Sequence, residues 1–78
     1  MRRPELAGVR REGTVRWYRA EKGYGRITAD DGEILFFHYS EIVGSGYRSL
    51  VEGQRVSFVR AGIADFGRGA AYDVRRLD

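Results

Sequence analysis

Aromatic rings and cations are concentrated between residues 17 and 39. Two segments of this stretch, KGYGRI at residues 22–27 and LFFHY at residues 35–39, carry a ring or a cation at every second position. A period of two is typical of β-strands whose two faces have different surroundings. Flat rings exposed to water can stack on unpaired bases, and cations beside them can contact phosphates.

The turn between the two segments decides which rings share a face, because a one-residue shift in pairing moves every side chain to the opposite face. A two-residue turn at residues 31–32 would place Phe36 and His38 on the inner face. A three-residue loop at residues 30–32 that ends in a left-handed glycine places both on the outer face. Since the first register would bury His38, the sequence predicts the second. Its outer face then carries Tyr24, Arg26, Phe36 and His38.

An outer face of this composition needs an explanation, because soluble monomers rarely expose large apolar patches. A single ring would most simply pack into a small core. Several rings mixed with arginine and lysine, opposite an aliphatic face, favour a binding surface. The alternative from another class is a protein-interaction module whose aromatic face covers a partner's apolar surface.

Longer matches around these segments point to a known family. They are GTVRWY at residues 13–18, EKGYG at residues 21–25 and FFHY at residues 36–39, and the similarity extends over roughly residues 12–77. At these positions the sequence resembles the cold-shock domain family. The resemblance implies a five-stranded antiparallel barrel of the OB type that binds single-stranded RNA and DNA. It further implies an RNA chaperone or a regulator of transcription or translation.

The resemblance also implies roles for individual residues. Trp17 is expected to point outward at a bulge, although strict alternation would place it on the face of Val15. Tyr47 is expected either to add a ring from the loop that begins at Gly44 or to pack on its own loop. Arg26 departs from the family pattern, which usually has a second aromatic at this position. The predicted nucleic-acid-binding side chains are Arg16, Trp17, Lys22, Tyr24, Arg26, Phe36, His38, Tyr39, Tyr47 and Arg68.

Periodicity and turn signals place the remaining elements. The predicted strands cover residues 12–19, 23–29, 33–38, 54–60 and 70–77. Ser40 is expected to cap a single helical turn after the third strand. In the fourth strand Val56 and Phe58 are expected to point one way and Val59 the other, whereas the phase of the fifth strand stays open.

Charge divides the chain into two predicted parts. Residues 1–11 hold four arginines and one glutamate, a net charge of +3, and residues 12–78 hold ten basic and ten acidic residues. We therefore expect a flexible basic arm at residues 1–11, which either contacts phosphates or is merely solvated. Residues 12–78 are expected to form the barrel.

Several function classes lack the residues that they need. The chain has no cysteine and one histidine, His38, so neither a transition-metal site nor a nucleophile–base pair is expected. No apolar run has the length of a membrane span or of a signal peptide. The sequence therefore predicts a cytoplasmic, monomeric protein that is not an enzyme. It is expected to have no cofactor, no membrane partner and no small-molecule substrate, with single-stranded RNA or DNA as its partner.

Overall fold

The computed structural model describes residues 10–44, 50–63 and 69–77, which form a closed barrel of five strands. The strands are β1 (Arg10–Arg19), β2 (Tyr24–Ala29), β3 (Ile34–His38), β4 (Arg55–Ile63) and β5 (Gly69–Arg76), and a 3₁₀ helix (Tyr39–Glu41) follows β3. The order around the barrel is β1-β2-β3-β5-β4. The predicted five-stranded barrel is confirmed, with one difference: the β3–β5 pair that closes it is parallel.

The core consists of inward side chains from all five strands, together with Ile42 and Leu50 from the segments between β3 and β4. Its largest fully buried members are Phe37, Phe58, Ile27, Leu35, Val15, Val56 and Val74. Burying a side chain of this kind contributes about 1.5–3 kcal/mol relative to leaving it in water. This apolar interior fixes which face of each strand remains outside.

Strands β2 and β3 pair in the predicted register. Tyr24 lies opposite His38 and Arg26 lies opposite Phe36. The connecting loop closes with a hydrogen bond from the Ala29 N–H to the Glu33 carbonyl at 2.7 Å. Gly32, the last loop residue, has a φ of 98°, a backbone conformation that glycine adopts with little strain. The outward positions of the two strands therefore follow from this three-residue loop.

The bulge predicted in β1 is also confirmed. Val15 lies opposite Ile27 and Trp17 lies opposite Arg26, so Arg16 is the extra residue. The bulge lets Val15 enter the core while Trp17, two residues later, joins the outer face.

Strand β1 begins earlier than predicted. Arg10 lies opposite Val59 and Arg11 opposite Phe58, so both arginines belong to the barrel and not to an arm. The Arg10 guanidinium also donates to Ser57 Oγ and, at 2.6 Å, to the Asp73 carbonyl. Arg10 and Arg11 give no apolar alternation from which a strand could be predicted. Backbone pairing with β4 and ion pairs hold them in the barrel instead. The rest of the predicted arm, residues 1–9, lies outside the described residues.

An irregularity in the β4–β5 pairing sets the phase of β5, which the sequence left open. In β4, residues 56–59 pair with β1 without irregularity, and the predicted alternation is confirmed: Val56 and Phe58 belong to the core cluster, whereas Val59 is buried outside it. Ser57 and Val59 lie opposite Arg75 and Tyr72, so the extra residue of the bulge is on β5. In β5, Ala71 and Val74 are both buried, although they are three positions apart. The left-handed Asp73, with a φ of 53°, changes the phase between them. The remaining strand ends lie within three residues of those predicted.

An exposed ion pair between Asp30 and Arg55 ties the β2–β3 loop to β4. Arg55 donates two hydrogen bonds to the two carboxylate oxygens, at 2.8 and 2.9 Å. The hydrogen bond from Arg55 lowers the pKa of Asp30 below its ordinary value of 3.8, and the pairing raises the pKa of Arg55. Because the folded pKa of Asp30 is the lower one, the pair stabilises the barrel above pH ~4. This stabilisation is lost as the pH falls through the folded-state pKa.

We expect Asp30→Asn to lower the melting temperature modestly at neutral pH, since the pair is exposed to solvent. The difference from wild type should shrink to nothing as the pH is lowered well below about 4, where Asp30 becomes protonated. Thermal unfolding of both proteins across a pH series measures this difference in melting temperature. The matched control is Asp30→Asn in an Arg55→Gln background, where the substitution should have little effect at any pH. A difference that persists in acid would contradict this account.

Candidate nucleic-acid interface

Three rings from three adjacent strands meet on the outer face of the barrel. Trp17 in β1 and Tyr24 in β2 have centroids 6.0 Å apart with their planes at 68°. Tyr24 and Phe36 in β3 have centroids 5.6 Å apart at 38°. Such edge-on and tilted contacts hold aromatic neighbours in place. We call Trp17, Tyr24 and Phe36 the ring platform.

Gly25 allows the platform to lie close to the core. A Cβ at this position would lie 2.4 Å from the Trp17 carbonyl oxygen and 2.9 Å from two ring carbons of Phe37. On the inner side the Tyr18 ring stacks on Phe37, with centroids 5.8 Å apart at 14°. The rings of the successive residues Trp17 and Tyr18 therefore lie on opposite faces of the sheet, Trp17 outward and Tyr18 against the core.

Four cations accompany the platform and are named here the unpaired cations: Arg16, Arg19, Lys22 and Arg26. The guanidinium carbons of Arg19 and Arg26 lie over the Trp17 ring, 5.5 and 5.9 Å from its centroid. Both distances are within the range of a cation–π interaction. Arg16 occupies the bulge, and Lys22 lies exposed in the turn before Tyr24.

The unpaired cations differ from several other arginines of the barrel in having no carboxylate partner among the described residues. Among the described residues, no carboxylate lies within salt-bridge distance of the unpaired cations. Elsewhere in that part of the chain, five arginines each contact at least one carboxylate, namely Arg10, Arg11, Arg55, Arg60 and Arg75. The platform side therefore presents positive charge that no described acidic group neutralises, as a polyanion-binding surface requires.

His38 extends the outer face beyond Tyr24 and has one ring nitrogen occupied. Its Nδ1 accepts a hydrogen bond from the Ser40 N–H at 3.2 Å and lies 2.9 Å from Ser40 Oγ. His38 therefore caps the 3₁₀ helix, which corrects the prediction that Ser40 does so. Since Nδ1 is the acceptor, the neutral ring carries its proton on Nε2, which remains able to donate to a ligand.

The structure places most of the predicted binding residues around the platform. Arg16, Trp17, Lys22, Tyr24, Arg26, Phe36, His38 and Tyr39 all lie on β1, β2, β3 or the segments that directly join or follow them. The Tyr39 ring packs against Gly23 and lies 4.9 Å from the His38 ring. Tyr47 and Arg68 lie outside the described residues, so their roles stay predictions.

One exposed side chain beside the platform was not predicted. Ile34 is 38% exposed and lies two residues before Phe36 on the same face of β3. The period of two, applied one step further back along the strand, would have found it. A groove of about 110 Å³ also opens between β3 and β5, bordered by Phe36, His38 and Tyr72 among others. Within the described residues no cluster of three acidic, cysteine or histidine side chains could hold a metal.

Comparison with known proteins agrees with this geometry. The profile of the 'Cold-shock' DNA-binding domain matches residues 11–77. The Major cold shock protein CspA of Pseudomonas aeruginosa is 52% identical over 50 residues, which cover 64% of this chain and 72% of that protein. The Cold shock-like protein CspA of Bordetella pertussis is 58% identical over 50 residues, covering 63% and 75%.

A solved structure supports the fold independently. The structure "drosophila Unr CSD456" matches with a TM-score of 0.71 at 22% identity. The match covers 90% of this chain and 27% of the Drosophila chain, and at this identity it shows the fold alone. In the described part of the chain, no helix is long and apolar enough to cross a membrane.

Proposed function

Because the chain belongs to the 'Cold-shock' DNA-binding domain family, whose members bind nucleic acids, we propose that it binds single-stranded RNA and DNA on the ring platform. The observation that carries the proposal is the meeting of Trp17, Tyr24 and Phe36 beside the unpaired cations. Rings at this spacing can each take one base, and the cations can follow the phosphates between the bases.

The selectivity for single strands follows from the availability of base faces. In a duplex both faces of a base are covered by its neighbours, so rings on an outward sheet have nothing to stack on. An unpaired strand can turn its bases onto Tyr24 and Phe36 while its backbone passes the exposed Arg16 and Lys22. A protein-interaction surface would not need these cations.

The energies suit a protein that keeps RNA unpaired. Each fully stacked ring contributes about 1–3 kcal/mol, and stacking in DNA averages about 1.4 kcal/mol per base-pair step. Three rings can therefore hold open a few weak base pairs but not a long helix. We propose that the chain acts as a monomeric RNA chaperone or as a regulator of transcription or translation, without catalytic activity.

Trp17 provides the test, because it is the only tryptophan of the chain. Titration with a single strand of about seven nucleotides, within the range of site sizes of an OB fold, should quench its fluorescence with a saturable curve. RNA and DNA of matching sequence should both do so. If fluorescence and a parallel calorimetric titration detect no binding of either, the proposed function is wrong.

A further inference from the structure

Arg26 lies at the centre of the outer face and not at its border. Strand β2 runs between β1 and β3, and Arg26 lies opposite Trp17 on one side and opposite Phe36 on the other. Its nearest outward neighbours in the sheet are therefore rings. Ligand groups that reach the middle of a stacking surface are bases, whereas the backbone phosphates pass along the edge, near exposed cations such as Lys22.

The donors of Arg26 are incompletely satisfied. The guanidinium is held against the Trp17 ring, and no described carboxylate lies within salt-bridge distance of it. Its Nε is buried and has no hydrogen-bond acceptor among the described residues. A buried donor without an acceptor is unfavourable. A ligand edge that brings acceptors to the guanidinium can relieve this once the side chain adjusts.

We infer that Arg26 selects guanine, by donating two parallel hydrogen bonds to O6 and N7 of a base that stacks on the ring platform. This inference rests on the proposed function and deepens it. The guanidinium is a planar fork of donors, and guanine offers two neighbouring acceptors on one edge. Adenine places a donor beside its N7, and thymine presents a single oxygen beside a methyl group. Unpaired cytosine also has two neighbouring acceptors, O2 and N3, but on a smaller ring.

The test uses the intact chain and short single strands, with binding followed by Trp17 fluorescence and calorimetry. The strands are oligothymidines of about seven nucleotides in which one position at a time carries guanine, 7-deazaguanine, adenine or cytosine. Arg26→Lys keeps the charge without the fork, and Arg26→Phe removes both. The matched control is Arg76→Phe, which changes an exposed arginine on β5, opposite Val56.

We expect the best-placed guanine to tighten binding to the wild-type protein by about tenfold or more, the effect of one bidentate contact. 7-Deazaguanine, which lacks the N7 acceptor, should lose most of this gain. Arg26→Phe should still bind oligothymidine but lose the guanine preference. Arg26→Lys, whose ammonium can still donate to guanine without the planar fork, should keep only part of the preference, and Arg76→Phe should retain it in full.

Three results would overturn the inference while the proposed function stands. They are equal binding of all guest bases by the wild type, a guanine preference that survives in Arg26→Phe, and a preference for cytosine that equals or exceeds that for guanine. If the wild type binds all guest bases equally and Arg26→Phe also lowers the slope of log affinity against log salt concentration by about 0.7, Arg26 contacts a phosphate instead. If neither the wild-type protein nor any variant bound any strand, the proposed function itself would be refuted.

Discussion

Replacing Tyr24 or Phe36 with alanine is expected to weaken single-strand binding by about 1–3 kcal/mol each, or roughly 5- to 150-fold. Both rings lie on the outer face, and Phe36 is 36% exposed, so the core keeps its packing in either variant. Their centroids are 5.6 Å apart, so each ring also holds the other in place. The double variant should therefore lose less than the sum of the two single losses. Calorimetric titration of the folded variants measures these effects.

Tyr18 offers a matched control for the loss of a ring. It is the neighbour of Trp17 in sequence, but its ring stacks inward on Phe37. We expect Tyr18→Leu to lower the melting temperature and to leave the affinity of the folded protein nearly unchanged. Tyr24→Ala and Phe36→Ala should show the opposite pattern. If all three variants lose affinity only in proportion to their loss of stability, the platform is packing and not a binding surface.

Replacing Gly25 with valine is expected to destabilise the barrel severely. Even the first added carbon would lie 2.4 Å from the Trp17 carbonyl and 2.9 Å from the Phe37 ring, and one of these contacts is with backbone. Overpacking of a core typically costs about 1–3 kcal/mol, and a backbone clash adds to it. Small domains are stable by only about 5–15 kcal/mol in total. Denaturant unfolding should therefore show a large decrease in midpoint, with binding reduced at the same time because Trp17 is displaced.

Gly32 provides the control for this substitution. A Cβ there would meet no atom within 4 Å, although its φ of 98° is strained for most residues. Asparagine tolerates positive φ better than most, so Gly32→Asn should change stability and affinity far less than Gly25→Val. If Gly25→Val unfolded at the wild-type denaturant concentration, the close packing of β1, β2 and Phe37 would be refuted.

The parts of the fold that sequence predicted are those that burial determines. Only one register of β2 and β3 keeps His38 outside and Phe37 inside. The outward turn of Trp17 at a bulge was implied by the family resemblance, because alternation alone would place Trp17 on the face of Val15. The first residues of β1 carry no such signal. Arg10 and Arg11 are exposed and are held by the ladder to β4 and by carboxylates distant in sequence, so their charges resembled those of a tail.

The candidate site could be predicted as a set of side chains but not as an electrostatic surface. Alternation placed Tyr24, Arg26 and Phe36 together, because neighbouring strands in a known register bring their outward residues side by side. The neutralisation of other arginines could not be foreseen. Arg55 contacts Asp30 across 25 residues and Arg60 contacts Glu33 across 27, pairings that only the closed barrel creates. Among the described residues, Arg26 has no carboxylate within salt-bridge distance, and this distinguishes it only once those pairings are known.

The most direct test of the central claim compares one sequence as a single strand and as a duplex. Trp17 fluorescence is followed while the full chain is titrated with a mixed-sequence DNA strand and with the same strand annealed to its complement, at equal salt. Stacking on the ring platform predicts strong quenching and tight binding for the single strand, with affinity for the duplex lower by about tenfold or more. Equal affinity for the two forms would contradict the account, because it would mean that cations alone bind the nucleic acid.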